Sequence, residues 1–350
     1  MPRNAAGIAA SKILKERREA IAERVATLFW KAYPQLEKRW HAAWQKTTQD
    51  NSLLDYLSEA LSLGRSSLFT EYVVWVAVLL TGQDFPGMAV GLNLKLIRTI
   101  LVSELSDAGG AMATQYLDTA IAAIERGVSA TRTHLGGNEP IDFLARDYLS
   151  ALLRGDRHVA MSLVLAAADG GTSIKDIYLF IFQRVLQELG RLWHFNQISV
   201  AQEHYCTGCT QLIMSQLYPR IFSTERNGLR LVSTCVGGDL HELGLRMLSD
   251  FFEMEGWDTF YLGANTPTSG TLQQVAERRP HVLAISATLS VHVKSVADLI
   301  AATRAAGRPP RILVGGSPFN SLPGLWKDVG ADGYARDAAE AIAVAGAWNK

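Results

Sequence analysis

The spacing of apolar residues separates an N-terminal region of consecutive helices from the rest of the chain. Up to about residue 127 apolar positions recur at helical spacing, as they do in the run Ile13–Ala32. Gly109 and Gly110 are expected to break the chain ahead of the last helix of this region. We therefore predict that residues 1–130 form an all-helical domain.

A second helical block follows a short linker. Residues 128–139 are mostly small or polar and include two glycines, which favours a linker. Four helical runs come next, at residues 140–153, 156–168, 173–195 and 199–222. Four helices joined by short turns are typical of a four-helix bundle, which we predict over residues 138–224.

Strands and helices alternate from residue 228 to the end of the chain. Short apolar strands are expected at 229–234, 258–262, 281–286, 311–314 and 333–334, with helical runs between them. This alternation predicts a doubly wound parallel sheet, in which ligands bind at the carboxyl ends of the strands. The predicted fold class is therefore α plus α/β, with a Rossmann-like domain at residues 228–350.

Composition narrows the possible functions. Hydrophobic residues make up 48% of the chain and charged residues 19%, as in a globular protein with a large core. Lysine plus arginine equals aspartate plus glutamate, 34 against 34, so we expect no direct nucleic-acid binding. No apolar run is long enough to span a membrane, and the N-terminus lacks the pattern of a signal peptide. Three cysteines do not make a disulfide framework, so a cytoplasmic location is expected.

The loop after the first predicted strand of the sheet contains a candidate metal ligand. His241 would point into the crevice at the carboxyl end of that strand. Asp239 could accept the other ring N–H of the imidazole, which fixes its tautomer and raises its basicity toward a metal. Gly244 would let the next helix begin close to a bulky flat ligand. By itself, the loop is equally consistent with a surface turn in which Asp239 caps the next helix.

Two further motifs follow this loop at defined distances. Between Gly244 and Ser286-Ala287-Thr288 lie 41 residues, and between Thr288 and Gly315-Gly316 lie 26 residues. Together with Asp239-x-His241-x-x-Gly244, this pattern resembles the cobalamin-binding domain of methionine synthase, corrinoid methyltransferase proteins and several mutases. Thr288 stands where that family has leucine.

The resemblance implies a cobalamin site in the Rossmann-like domain. His241 would replace the nucleotide tail of cobalamin as the lower axial ligand of cobalt. The tail would enter a slot in which Ser286 bonds it and Gly315-Gly316 leave room for it. The other cofactor contacts implied by the motifs are Gly238, Asp239, Leu240, Glu242, Leu243, Gly244 and Thr288.

The second helical block contains a further cluster of candidate residues. Trp193 and His194 are expected to end one helix, and Ser199 with Gln202 predicts a capping box that begins the next. Glu203 and His204 then lie on the first turn of that helix, close to the Trp193 end. A buried tryptophan beside a Glu–His surface pair would explain the same pattern without any cofactor.

Nine residues separate Trp193 from Glu203-His204, and this spacing resembles the light-sensing, cobalamin-dependent repressors of carotenoid genes. The resemblance implies that the bundle caps cobalamin, with Trp193, Glu203 and His204 around the adenosyl group of adenosylcobalamin. It also implies that light releases this group and that His194 then becomes the second axial ligand. We therefore expect a non-enzymatic light sensor, a homo-oligomer whose assembly changes with light and which signals through a separate protein partner.

The N-terminal domain departs from that repressor family, because no basic helix-turn-helix domain is visible in it. Residues 1–130 loosely resemble globin-like sensor domains, and a helical domain ahead of a cobalamin module is similar to the photocobilins, which also bind biliverdin. That resemblance implies a biliverdin site in this domain. His41 and His134 are candidate tetrapyrrole neighbours, although a lone histidine is more often solvated or otherwise bonded.

The sequence is also compatible with two other functions, and it contains one cysteine motif. The chain could be a corrinoid carrier of a methyltransferase system, or a cobalamin-binding antirepressor that engages a transcription factor. The set Trp193, Glu203 and His204 favours the sensor over the carrier. Cys206-x-x-Cys209 lies within a predicted amphipathic helix, so we interpret it as two buried small residues rather than a redox motif.

Overall fold

The computed structural model describes residues 4–34, 53–82, 88–105, 107–127, 132–222, 224–307 and 309–348. The chain divides into two compact units, Met1–Ala130 and Thr131–Lys350. None of the helices in the described ranges combines the length and the apolar character needed to cross a bilayer.

The N-terminal unit is helical throughout its described residues. Its helices are α1 (Ala5–Ala32), α2 (Leu53–Leu63), α3 (Ser66–Gly82), α4 (Met88–Glu104) and α5 (Asp107–Glu125). The helical spacing of Leu14, Ile21 and Phe29 places all three on the buried face of α1. The predicted break at Gly109-Gly110 is wrong, because both glycines lie inside α5. Both are buried there, and Gly110 lies close to Leu105.

Four helices form the bundle of the second unit. They are α6 (Pro140–Leu153), α7 (Arg157–Asp169), α8, which runs from Ile174–Asp176 through a π-helical turn at Ile177–Gln183 to Arg184–His194, and α9 (Val200–Leu217). A short 3₁₀ turn, Tyr218–Arg220, follows α9. Capping side chains fix where the helices begin: Asp156 accepts from the amide of Val159, and Ser199 with Gln202 forms the predicted capping box.

A parallel sheet of five strands forms the C-terminal part of the second unit. The strands are β1 (Arg230–Cys235), β2 (Asp258–Tyr261), β3 (Val282–Ser286), β4 (Arg311–Gly315) and β5 (Gly333–Tyr334). The helices between and after them are α10 (Leu243–Met254), α11 (Thr268–Arg278), α12 (Val293–Ala305), α13 (Ser317–Ser321), α14 (Leu325–Asp328) and α15 (Ala338–Trp348). The order β2-β1-β3-β4-β5 makes this the predicted doubly wound sheet, whose topological switch point lies between β1 and β3.

The bundle and the sheet share one hydrophobic core through α10. Leu243, Met247 and Phe251 of α10 are buried in the same cluster as bundle residues that include Tyr178 and Phe182. Each large apolar side chain that is fully buried contributes about 1.5–3 kcal/mol relative to exposure. The helix that follows the His241 loop is thus packed against the bundle, which joins the two predicted parts of the site.

Candidate functional site

Three loops meet at the switch point of the sheet and are tied together around Asp239. The backbone N–H of Gly238 donates to Oδ1 of Asn265 over 2.7 Å, and the N–H of Asn265 donates to the carbonyl of Asp239 over 2.9 Å. The N–H of Thr288, after β3, donates to Oδ2 of Asp239 over 2.7 Å. The loops after β1, β2 and β3 are therefore held in one arrangement at the place where such sheets bind ligands.

Asp239 is a fully buried carboxylate. Its Oδ1 accepts from the backbone N–H of His241 over 3.0 Å and lies 2.9 Å from Nδ1 of the same residue. Burial alone would raise the pKa of Asp239, but the hydrogen bonds from His241 and Thr288 and the approach of His292 hold it below its usual value. The alternative of Asp239 as a helix cap is wrong, since α10 begins after Glu242 and receives no side-chain cap.

His241 is held on one side and open on the other. The bond to Asp239 raises the pKa of His241, burial opposes this, and the charge of Glu203 adds to the increase. A proton on Nδ1 serves the bond to Asp239 and leaves the lone pair of Nε2 for a metal. The side chain remains 56% exposed, so a ligand can reach it. Cys235, which is buried behind the loop, has its thiol 3.5 Å from the carbonyl of His241.

His292, which no sequence motif indicates, belongs to the same network. Its Nδ1 lies 3.4 Å from Oδ2 of Asp239, and the side chain is only 13% exposed. This nitrogen is buried and lacks a hydrogen bond of good geometry. Asp239 is therefore flanked by two imidazoles, one at each oxygen. Its position could have indicated this role, because His292 immediately precedes α12 at the switch point between β1 and β3.

The predicted slot residues lie at the ends of β3 and β4. Ser286 is aligned with Cys235 on one side and Gly315 on the other, so it lies in the middle of the carboxyl edge. Gly316 has a φ of +105°, and a Cβ there would lie 2.0 Å from the carbonyl oxygen of Ala287. The loop after β3 thus approaches Gly316 so closely that only glycine fits. Thr288, the departure from the family pattern, acts through its backbone N–H.

The remaining motif residues fall into two groups. Some lie on the exposed side of the His241 loop, which we call the open face, and others lie in the core. Leu240 is 72% exposed beside His241, and a Cβ added at Gly244 would meet nothing within 4 Å. Leu243, by contrast, is buried in the core shared with the bundle. Glu242 joins the two parts: its Oε2 accepts from the amide of Ala264, and its Oε1 lies 3.3 Å from Nε2 of Gln211 on α9.

One face of α9 is directed at the His241 loop. Glu203, Thr207 and Gln211 are spaced four residues apart and so share this face. Thr207 donates to Oε1 of Glu203 over 2.7 Å, Gln211 contacts Glu242, and the charge of Glu203 acts on His241. Glu203, one of the predicted bundle residues, therefore lies on the side of the bundle that faces the sheet loop.

Trp193 and His194 are the last two residues of α8, and the turn before Ser199 brings the start of α9 beside them. Both side chains are half-buried. His204 is exposed, and its Nε2 lies 3.7 Å from Oε2 of Glu203. The structure thus gathers Trp193, His194, Glu203 and His204 at one end of the bundle.

Other candidates have simpler roles. Cys206 and Cys209 are buried free thiols, in agreement with their interpretation as core residues. His134 lies in the second unit, where its N–H donates to Glu188 and its carbonyl accepts from Arg184. His134 therefore ties the segment before the bundle to α8 and does not belong to the N-terminal unit. His41 lies outside the described residues.

Comparisons with known proteins agree with this geometry. A family profile described as "B12 binding domain" matches residues 229–343, and a second profile with that description matches residues 144–218. The chain is 26% identical over 164 residues to a dimethylamine corrinoid protein 2 of Methanosarcina mazei, a match covering 46% of this chain and 73% of the relative. This chain is a cobalamin-binding protein.

Two further matches are a sequence similarity to a transcriptional repressor and a structural similarity to a corrinoid protein of known structure. It is 28% identical over 154 residues to the HTH-type transcriptional repressor CarA of Myxococcus xanthus, which covers 44% of this chain and about half, 52%, of the repressor. The monomethylamine corrinoid protein of Methanosarcina barkeri superposes with a TM-score of 0.52 at 19% identity, covering 57% of this chain and 94% of that one. The superposition shows the shared fold.

The residues around His241 fit a cobalamin. His241 offers an imidazole nitrogen that is oriented by Asp239. Leu240, next to His241 in the loop, exposes 72% of its surface, which suits contact with a large ring of partly apolar character.

Proposed function

We propose that this cobalamin-binding protein is a light sensor, not an enzyme, that holds adenosylcobalamin between the bundle and the sheet. The observation that carries the proposal is that Glu203 acts on His241 while Gln211 of the same helix face contacts Glu242. Residues expected above and below the cobalt thus face each other. Bound adenosylcobalamin would supply a cobalt–carbon bond that light can break.

The residues of the sheet hold the lower face. Asp239 orients His241, so that Nε2 is directed away from the carboxylate and toward the open face. Three hydrogen bonds besides those of His241 fix this arrangement: the N–H groups of Thr288 and Asn265 donate to Asp239, and the N–H of Gly238 donates to Asn265. A carboxylate that is bonded to the second ring nitrogen of a ligating histidine, as Asp239 is here, raises the affinity of the histidine for the metal.

The residues of the bundle cover the upper face. Trp193, Glu203 and His204 would surround the adenosyl group, and Thr207 holds the Glu203 carboxylate in place. His194 ends α8 beside Trp193, and its imidazole would be a suitable ligand for cobalt once the adenosyl group has left. A movement of His194 toward the sheet would displace α8 and with it the bundle, which converts a local event into a change of packing.

We propose that this displacement changes how copies of the chain assemble and which protein partner they engage. The test is sedimentation of the full chain loaded with adenosylcobalamin, in the dark and after green light. A light-dependent shift in sedimentation is expected, and it should be absent when the chain is loaded with hydroxocobalamin, which lacks the adenosyl group. Identical sedimentation in dark and light would refute the light-driven change of assembly.

Biliverdin is proposed as a second chromophore of the N-terminal unit. The proposal rests on the resemblance to the photocobilins, with which the helical character of the described part of this unit is consistent. A stable absorption band in the red after addition of biliverdin would support binding. A spectrum equal to that of free biliverdin would contradict it.

The second candidate is a corrinoid carrier, favoured by the similarity to the dimethylamine corrinoid protein. A carrier would show reversible methylation of its cofactor and would tolerate His194→Ala. A sensor would show a light response that depends on His194.

An antirepressor would bind its transcription factor with an affinity that depends on cobalamin, which a pull-down with and without the cofactor would detect.

A further inference from the structure

A buried acid lies where the bundle packs against α10. Asp250 is 4% exposed, and its Oδ2 accepts a hydrogen bond of 2.9 Å from the hydroxyl of Tyr178. Tyr178 is itself fully buried and lies in the π-helical turn of α8. Such turns distort a helix locally and recur at functional sites. The bond therefore joins a distorted turn of the bundle to the first helix of the sheet domain.

The two helices joined by this bond carry opposite sides of the cobalamin site. α10 begins directly after the loop that contains His241, and α8 ends with Trp193 and His194. The bonds from Gln211 to Glu242 and from Arg246 to Ser215 also connect bundle and sheet, but they are at least partly exposed. The contact between Tyr178 and Asp250 is buried in the shared core.

The groups facing Asp250 compensate its charge only in part. On α8 it faces Tyr178, after α9 it faces Tyr218, and on its own helix it faces Arg246 and Glu253. Burial raises the pKa of Asp250 to about 6, although the two phenols and Arg246 act to lower it and Glu253 acts to raise it further. At neutral pH an ionised carboxylate thus lies in the apolar contact between bundle and α10, which costs free energy.

We propose that Asp250 is a positioning residue whose buried charge keeps the bundle weakly held against α10, so that the bundle can separate from the sheet. The inference rests on the proposed function for its purpose, since a sensor needs a bundle that moves. The effect of the Asp250 charge on the stability of the contact does not depend on light. The folded chain keeps the Asp250 proton to higher pH than the unfolded chain, so the stability it contributes is fully present below its usual pKa and falls as pH rises through about 6.

Two variants of the full, cofactor-free chain test this in opposite directions. Asp250→Asn removes the charge and keeps an acceptor for Tyr178, so it should raise the melting temperature at pH 7.5. Tyr178→Phe leaves the carboxylate with one donor fewer, so it should lower the melting temperature at the same pH. The difference between the usual pKa of 3.8 and about 6 sets an upper limit of about a hundredfold on the change in the opening equilibrium. Amide hydrogen exchange in α10 should slow by up to that factor in Asp250→Asn.

Two control variants separate this effect from ordinary loss of a hydrogen bond or a carboxylate. Tyr148→Phe removes a buried bond to Thr210 within the bundle and should destabilise equally at pH 5 and pH 7.5. Asp142→Asn removes a carboxylate whose pKa is lowered by Arg184, so it should destabilise at pH 7.5, where Asp250→Asn stabilises.

The outcome at two pH values decides the proposal. The wild-type chain should lose stability between pH 5 and pH 7.5 relative to Asp250→Asn, and hydrogen exchange should show the same difference. A lower melting temperature of Asp250→Asn at pH 7.5, or an unchanged pH dependence in that variant, would overturn it. If wild type loaded with adenosylcobalamin shows no light response, the proposed sensor function fails, whereas the melting and exchange experiments still decide the role of Asp250.

Discussion

Nδ1 of His241 lies 2.9 Å from Oδ1 of Asp239, and this buried carboxylate also accepts the amide of Thr288. The candidate cobalt ligand is therefore oriented by a residue that is itself fixed by the loop of a neighbouring strand. Since β1 and β3 flank the switch point, the topology of the sheet creates this relationship.

Replacement of His241 tests the ligand assignment. His241→Ala removes the imidazole nitrogen that we expect below the cobalt, so axial coordination by the protein should be lost and the visible spectrum of the bound cofactor should change. His158→Ala, at an exposed position on α7, serves as the matched control and should keep the wild-type spectrum. A wild-type spectrum in His241→Ala would show that another group is the ligand.

Replacement of Asp239 tests the orientation of that ligand. Asp239→Asn weakens the bond to His241 and leaves the histidine less basic, so the affinity for hydroxocobalamin should fall about 10–100-fold. The free energy of unfolding should also fall by about 1–3 kcal/mol, because buried donors lose a charged partner. Asp298→Asn, at an exposed ion pair with Lys294, should change neither quantity. An unchanged titration curve for Asp239→Asn would contradict the proposed role of the carboxylate.

The raised pKa of His241 makes cobalt coordination dependent on pH. The bond to Asp239 favours the protonated imidazole in the cofactor-free chain, and a proton competes with cobalt for the ring. Coordination by His241 should therefore weaken as pH falls through this raised pKa, by about tenfold per pH unit below it. Spectra recorded along a pH series would reveal the midpoint. In the cofactor-free Asp239→Asn chain the pKa of His241 itself should move to lower pH, and an unmoved pKa would contradict the role of Asp239 in raising it.

The fold was largely predictable because apolar periodicity and capping residues are local signals. The alternation of strands and helices predicted the parallel sheet, and Ser199 with Gln202 predicted where α9 begins. The break predicted at Gly109-Gly110 failed because both glycines are buried within α5, where packing outweighs the low helix propensity of glycine. The π-helical turn of α8 was not predicted, since it leaves the apolar spacing almost unchanged.

The hydrogen bonds of the candidate site were predictable only where their partners lie close together in sequence. The bond from Asp239 to His241 spans two residues, and a motif can encode it. His292 and Asn265 reach the same loop from other strands, so only the folded chain brings them to Asp239 and Gly238. The contact between Tyr178 and Asp250 likewise depends on how α10 packs against the bundle, which local patterns do not contain.

The absorption spectrum of the full chain loaded with adenosylcobalamin most directly tests light sensing through this cofactor and the role of His194. It is recorded before and after green light, in wild type and in His194→Ala. We expect identical dark spectra for the two proteins, a light-induced change in both, and a different illuminated spectrum in the variant because His194 no longer binds cobalt. A wild-type spectrum that green light leaves unchanged, or an illuminated spectrum that is the same in both proteins, would contradict this expectation.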